Sequence, residues 1–295
     1  MNLCIETLTP ALGARVTGVD LRRPVDAGTY AAISAALDAH GVLVLPEQPL
    51  DDDRQIAFSR LFGPLERTAG TNPAAGTVFA RQSNLDIRNG ETIPADDRRM
   101  HYQKSNYLWH ADSTFKAIPS RCSLLSARVV PPEGGATEFA STRAAYDSLT
   151  AGEQAALEDL IVEHDFIYSR GLTGFSFDEA ERALYPPVRH RLVRVNPATG
   201  RRAVMIGAHA RTIVGWSEAK ARALLDDLLA RATRSEHCYR HEWRQGDLLI
   251  WDNQAVLHRA TPYDAARHRR LMQRTTVSAG TVANRPEDAA LEPAG

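Results

Sequence analysis

The chain is poor in the features of secreted, membrane-spanning or nucleic-acid-binding proteins. Its three cysteines, Cys4, Cys122 and Cys238, are odd in number and far apart in 295 residues. A disulfide framework is excluded, and reduced thiols in a reducing compartment are expected. Charge of neither sign is in excess: 35 Lys and Arg stand against 36 Asp and Glu, a formal net charge of −1. Nothing electrostatic favours nucleic acid or an anionic membrane as a partner. Long apolar runs are missing too. "GVLVLP" and "DLLIW" fall far short of the roughly 20 residues a bilayer span needs. The start, "MNLCIETLTPALGARVTG", has no basic segment followed by an apolar one, so no secretory leader is expected. Internal repeats and low-complexity linkers are absent. What is present is 43% apolar and 24% charged, the balance of a soluble globular protein. A cytoplasmic protein with a core that needs no disulfides is expected.

The patterning is specific in places. "YAAISAALDAHG" predicts an amphipathic helix stopped at Gly41, followed by "VLVLP" as a buried strand. "DDDRQIAFSRLFG" predicts a second helix, with acidic residues in its first turn and Gly63 past its end. Residues 66–106 are polar, rich in Gly, Pro and Asn, and nearly aperiodic. They predict a long loop that acts as a lid and sets specificity. From Ser120 the texture changes to short β-type runs, among them "RCSLLSARVV", "ATEFAS", "EHDFIYS", "HRLVRV", "EHCYRHEW", "GDLLIWD" and "LMQRTTV". "STRAAYDSLTAGEQAALEDL", read as two helical pieces, and "SEAKARALLDDLLARAT" interrupt them. The predicted fold is mainly β with helices, a sandwich or jelly roll decorated by α-helices. One domain over 1–280 and a disordered tail over 281–295 are expected.

The chemistry starts at "NYLWHADSTF". Read as a strand, this stretch points His110 and Asp112 to one face, where both can reach one cation. "GDLLIWDNQAVLHRATPYD" offers His258 as a third ligand. Two histidines and a carboxylate with other positions open form the facial triad of non-haem Fe(II) oxygenases. Alone, His-x-Asp is a weak signal, and a core histidine in a strand is the plainer reading. "ARHRRLMQRTTV" adds Arg270 and Arg274 at an even spacing, hence on one face with Met272 between them. Inward guanidiniums call for anions, and a carboxylate is their natural partner. In "PPEGGATEFAS", Thr137 can donate its hydroxyl to the same anion. A hydrolytic zinc site leaves the two arginines unexplained.

"LWHADSTF", "PPEGGATEF", "RAAYDSL", "GDLLIWDNQAVLHRA" and "RRLMQRTTV" together resemble the taurine and chlorophenoxyacetate dioxygenase family. The resemblance runs from "GARVTGVDLRRP" to "TTV". It implies a double-stranded β-helix, a jelly-roll variant, that uses Fe(II), 2-oxoglutarate as cosubstrate and O2. The family's iron ligands fall on His110, Asp112 and His258. Its 2-oxoglutarate-holding threonine and arginine fall on Thr137 and Arg270, and its substrate-anion arginine on Arg274. Asn106 matches an asparagine near the substrate amine of the taurine branch. Halogenating relatives replace the metal-binding carboxylate, so Asp112 implies hydroxylation.

"HADSTF", "LLSARVVPPEGGATEFASTRAAYDSL" and "IGAHA" look closest to the branch that cleaves chlorophenoxyacetates. The implied substrate is a small anion, foremost an aryloxyacetate, whose hydroxylated ether carbon collapses to a phenol and glyoxylate. Taurine or another alkylsulfonate, a sulfate ester, or another natural carboxylic acid are the alternatives, as is a jelly-roll binding protein without metal. A homo-oligomer is expected. Trp109 and Trp251 are read as packing around the site. Asp252 and Asn253 are read as shaping the turn before His258. His209 is read as a structural or surface histidine rather than a pocket residue, and Arg98, Arg99, His101 and Lys104 as solvated charge.

Overall fold

The computed structural model describes residues 3–68, 72, 74–86 and 89–280. Its largest sheet has seven strands, in spatial order Cys4–Thr7, Ala14–Thr17, Val42–Leu45, Leu248–Asp252, Ser120–Val129, Leu271–Ser278 and Phe79–Ser83. Only Ala14–Thr17 and Val42–Leu45 run parallel to each other. Both faces of the sheet's centre are buried, because successive side chains leave a strand in opposite directions. Leu43, Leu45, Leu124, Leu248 and Ile250 meet Ile33 and Leu37 of the helix Ala27–His40 and Phe58 of the helix Asp52–Arg60. Val42, Val44, Leu125, Leu249, Trp251 and Met272 face the other way, onto Phe139, Trp243 and Val256.

Phe139 and Val256 belong to a second layer, the three strands Cys238–His241, Thr137–Ser141 and Val256–Ala260. Their alternate residues Ala140 and Leu257 turn outward to Ala145 of the helix Thr142–Asp147 and to Leu225 and Leu228 of the helix Glu218–Ala232. A further sheet, Ala210–Ile213, Ile161–His164 and Val188–Arg191, lies beyond. One short segment runs between the second layer and the turn that precedes Ala210–Ile213. His110 forms an isolated antiparallel bridge with His258. On its other side the Trp109 carbonyl accepts from the Ala208 N–H at 2.8 Å.

Local signals explain most element ends. The Asp26 carboxylate caps Thr29 N–H, so the first helix starts at Ala27, ahead of the predicted Tyr30. Gly41 ends it in the left-handed region, as predicted. The "STRAAYDSLTAGEQAALEDL" stretch is two helices, Thr142–Asp147 and Ala151–Leu157, the second opened by a capping box at Thr150 and Glu153. Two expectations fail. Residues 66–106 are not simply a loop: Phe79–Ser83 is the edge strand beside Leu271–Ser278, and Arg98–Gln103 is a helix. The edge strand reads as polar because only one side of its backbone is paired. "EHDFIYS" is not one β run. Ile161–His164 is a strand, and Asp165 then accepts from Tyr168 N–H to start the helix Phe166–Gly171. The expected disordered tail lies outside the described residues. Among those described, no helix is long and apolar enough to cross a membrane.

One buried ion pair ties the layers together. Arg143 donates to the Asp252 carboxylate at 2.9 Å and to the Asp38 carbonyl at 2.8 Å. It thereby connects the helix Thr142–Asp147, the end of the first helix and the strand Leu248–Asp252. Burial pushes the Asp252 carboxyl up against the pull of Arg143. Removing one partner strands a buried charge, at a cost of about 3–5 kcal/mol. Arg143→Met is expected to lower the unfolding free energy by that amount in urea titration. A loss below 1 kcal/mol, roughly a surface pair's worth, contradicts this role.

Candidate metal centre and its cavity

The stretch expected to be a strand around His110 is a single bridge followed by a turn. Beyond it Ser113 adopts a positive φ of 57°. Asp112 is therefore held by side chains rather than by a strand partner. Its N–H donates to Asn253 Oδ1 at 3.1 Å, and its carbonyl accepts from Ser120 Oγ at 2.7 Å. Ser123 Oγ donates to Asp112 Oδ2 at 2.7 Å. Asn253 also donates to Ser123 Oγ and accepts from the Trp251 indole, both at 2.9 Å. Asn253 thus does more than shape a turn: it braces the carboxylate's backbone and the hydroxyl that orients it. Gly207, at φ 109°, lets the chain pass close behind His110, where a Cβ would lie 3.0 Å from the Trp109 carbonyl.

His110, Asp112 and His258 each present a ligand atom, all within 4.8 Å of one another. Among the described residues this is the single such cluster of three or more His, Cys, Asp or Glu. His110 Nδ1 lies 2.7 Å from the Leu108 carbonyl. That contact requires the proton on Nδ1 and leaves the Nε2 lone pair free, 4.0 Å from Asp112 Oδ1. His258 Nε2 is 3.7 Å from Asp112 Oδ2, and neither of its ring nitrogens has a hydrogen-bond partner. A buried imidazole left unpaired in this way is costly unless something ligates it. Burial pushes both histidines below their usual pKa, His258 most. Burial alone would raise the Asp112 carboxyl, but the Arg274 guanidinium and the two imidazoles outweigh it and hold it below the usual carboxylate range. Two neutral imidazoles and an ionised carboxylate are the states that bind a divalent cation. The residues fit the implied iron.

A cavity of about 110 Å3 opens over His110 and Asp112 of this cluster. Arg274 lines it and donates through Nη1 to Asp112 Oδ1, while its Nε stays enclosed and unpaired. Phe115, Phe166, Tyr185 and His209 supply an aromatic wall. A smaller cavity of about 50 Å3 shares Gln82, Gln103 and Asn106 with the first and is lined by Arg270. Arg270 is buried, donates to the carbonyls of Gln82 and Gly135 at 3.3 and 3.2 Å, and keeps an unpaired Nε. Gly135, at φ 68°, makes room for it: a Cβ there would lie 3.2 Å from Arg270 Nε. Thr137, two residues on, lines neither cavity. Its Oγ1 accepts from the Trp243 indole at 2.9 Å, which leaves the hydroxyl hydrogen free to donate. Metal ligands with an enclosed guanidinium in the adjoining cavity suit a short dicarboxylate.

Asn106 lines both cavities. Trp251 packs as expected, fully buried with its ring 4.6 Å from His258, and Trp109 lies beneath Arg259. His209 differs from expectation. It lines the cavity, with Nδ1 2.8 Å from Ser169 Oγ and its ring 4.9 Å from Phe115. Arg98 pairs with Glu181 and Arg99 with Asp86 and Asp97, away from the metal-side cavity, whereas Lys104 lines the smaller one. Residues 66–106 do supply much of the wall, including Glu66, Gln82 and Tyr102. Phe166 escaped notice because "EHDFIYS" looked like a strand, and Arg170, just past that run, went with it. Asp165 as an N-cap was the available signal.

A family model described as "Taurine catabolism dioxygenase TauD, TfdA family" matches residues 5–276. The chain belongs to this family. It is 41% identical over 287 residues to the alpha-ketoglutarate-dependent 2,4-dichlorophenoxyacetate dioxygenase of Cupriavidus pinatubonensis, covering 96% of this chain and 100% of that one. It is 36% identical to the (S)-phenoxypropionate/alpha-ketoglutarate-dioxygenase of Delftia acidovorans, over 89% of this chain and 91% of the relative. The crystal structure of AAD-2 in complex with Mn(II) and N-oxalylglycine superimposes with a TM-score of 0.88 at 39% identity, covering 95% and 98% of the two chains.

Two outcomes are expected of this TauD/TfdA-family site. Asn253→Ala, which touches no ligand atom, weakens Mn(II) binding about 10- to 100-fold, read by titration of metal-free protein; unchanged affinity contradicts the bracing role. Metal-free protein loses stability as pH falls from about 7 to 5. His110, His209 and His258 all have lowered pKa values in the fold, so the unfolded chain takes up protons first, near 6.5. Their contribution is present above that pH and lost below it. A thermal midpoint that stays constant between pH 7.5 and 5.5 contradicts the assignment.

Proposed function

We propose that this 2-oxoglutarate-dependent dioxygenase hydroxylates the ether carbon of an aryloxyacetate. The carrying observation is the convergence of His110, Asp112 and His258, two of which, His110 and Asp112, line a cavity with an aromatic wall and an arginine facing it. In this reading the three residues hold Fe(II), which when bound supplies O2 activation and the oxidising power for C–H cleavage. Arg270 takes the distal carboxylate of 2-oxoglutarate, assisted by the Thr137 hydroxyl. Two supports are the enclosed, unpaired Nε of Arg270 and the capture of N-oxalylglycine, an isostere of 2-oxoglutarate, by a relative.

Arg274 holds Asp112 in place and turns its remaining donors to the substrate anion. The aromatic wall suits an aryl group, as the substrates in the names of two relatives suggest. Asn106 borders the reacting region from the wall that both cavities share. The aromatic wall limits the access of water to the reacting carbon in this reading. Hydroxylation there yields a hemiacetal that releases a phenol and glyoxylate, while 2-oxoglutarate and O2 leave as succinate, CO2 and the inserted oxygen. The layered sheets are read as a double-stranded β-helix, one domain over 1–280. Near-zero net charge and three free thiols support a cytoplasmic enzyme of small anions, without nucleic acid or membrane as partner, and a homo-oligomer is expected.

The test is succinate release by Fe(II)-loaded protein with 2-oxoglutarate and O2, across aryloxyacetates, alkylsulfonates and N-acyl amino acids. Stimulation by aryloxyacetates with one phenol per succinate is expected. Stimulation by sulfonates alone moves the substrate to the taurine class. His110→Ala should lose all turnover. Arg270→Ala should raise the KM for 2-oxoglutarate at least tenfold without changing metal affinity, and an unchanged KM removes Arg270 from that role.

A further inference from the structure

The metal-side cavity carries one more cation than the roles above use. Among the described residues, four cationic side chains line it: Arg67, Lys116, Arg170 and Arg274. Lys116 is paired with Glu66 and Arg274 with Asp112. Arg67 is exposed and donates to the Gly76 carbonyl. Arg170 is different. Among the described residues its side chain makes one hydrogen bond, from Nη1 to the Tyr102 carbonyl at 3.2 Å. Its Nε is enclosed and has no partner. Among the described residues, no carboxylate lies within ion-pair distance of it. Its guanidinium lies over two rings, 4.3 Å from the centroid of Tyr102 and 4.8 Å from that of Phe166. Ring faces attract a cation and fix its position, but they do not neutralise it. A guanidinium held this way keeps several donors and a full charge for an arriving anion.

We propose that Arg170 is a substrate-anchoring residue, and that the carboxylate of the aryloxyacetate is gripped by Arg170 together with Arg274. Arg274 is already committed to Asp112 through Nη1, so Arg170 supplies the charge that the substrate anion cancels. The aryl group then lies along Phe115, Tyr185 and His209, on the same cavity wall. Helix Phe166–Gly171 thereby contributes both ring and charge to substrate selection. This inference rests on the reading of the cavity as the substrate site.

The test is calorimetric binding to protein loaded with Mn(II) and N-oxalylglycine, which reports affinity without turnover. Phenoxyacetate and its neutral primary amide are the two probes. Wild type should prefer the acid. R170Q should weaken the acid about 30-fold, as expected for a charge-assisted contact, and the amide less than 3-fold, with N-oxalylglycine affinity unchanged. Equal weakening of acid and amide, or no weakening of the acid, overturns the proposal. Should R170Q fail to bind the metal and N-oxalylglycine, R170K decides. It keeps the charge but loses the fork, and must lower the acid-to-amide preference at least 3-fold; an unchanged preference overturns the proposal. If wild type binds neither probe, butanesulfonate and butanesulfonamide replace them. The aryloxyacetate reading then fails while Arg170 is tested in the same way. Wild-type protein that binds none of the four overturns both.

Discussion

Two backbone hydrogen bonds between His110 and His258, 3.1 Å in one direction and 2.8 Å in the other, hold the candidate centre together. Residues directly opposite in an antiparallel pair project to the same face. The bridge therefore delivers both imidazoles to one point, from segments 148 positions apart in a chain of 295 residues. It is a minimal pairing, a single bridge rather than a ladder. Its precision comes from its neighbours. The strand Val256–Ala260 is locked to Thr137–Ser141 by a full register, and segment 109–110 is held from behind at Ala208.

Around this bridge the protein sets its polar groups in graded order. Asp112 is braced through Asn253, Ser120 and Ser123, so its geometry is built before any ligand arrives. Preorganisation of this kind keeps the cost of ordering out of the binding step. Other groups are left unfinished. The nitrogens of His258 and the Nε atoms of Arg170, Arg270 and Arg274 are enclosed without partners. Buried polar atoms in native proteins are normally satisfied, and the exceptions tend to mark work still to be done by a ligand. Here several of the exceptions fall on the metal cluster and on the two cavities beside it, while others, such as both ring nitrogens of His164 and the Nε of Arg143, lie elsewhere.

How much of this could be read from the residues follows from what each signal depends on. Gly41 and the acidic first turn of Asp52–Arg60 act within one turn, so these helix boundaries were legible, whereas the caps at Asp26 and Thr150 were not read. "LLIWD" and "LMQRTTV" were legible as strands, and the even spacing of Arg270, Met272 and Arg274 foretold their common face. The ligand set was proposed from motif and resemblance, and the fold brings those three residues together. The strand expected at His110 was wrong because one bridge, closed by a turn at Ser113, is enough to aim the side chains. Phe79–Ser83 was missed because its pairing is with a strand some 190 residues later, which no local pattern reveals. His209 was undervalued, and Arg170 passed over, for the same reason. Their neighbours, Phe115 and Tyr102, come from distant segments.

The most direct test of the central claim is the anomalous scattering of Mn(II) in crystals grown with 2-oxoglutarate. The account predicts one strong peak within metal–ligand bonding distance of His110 Nε2, an Asp112 carboxylate oxygen and His258 Nε2, with the distal carboxylate of 2-oxoglutarate toward Arg270. A peak elsewhere, or none at saturating metal, contradicts it.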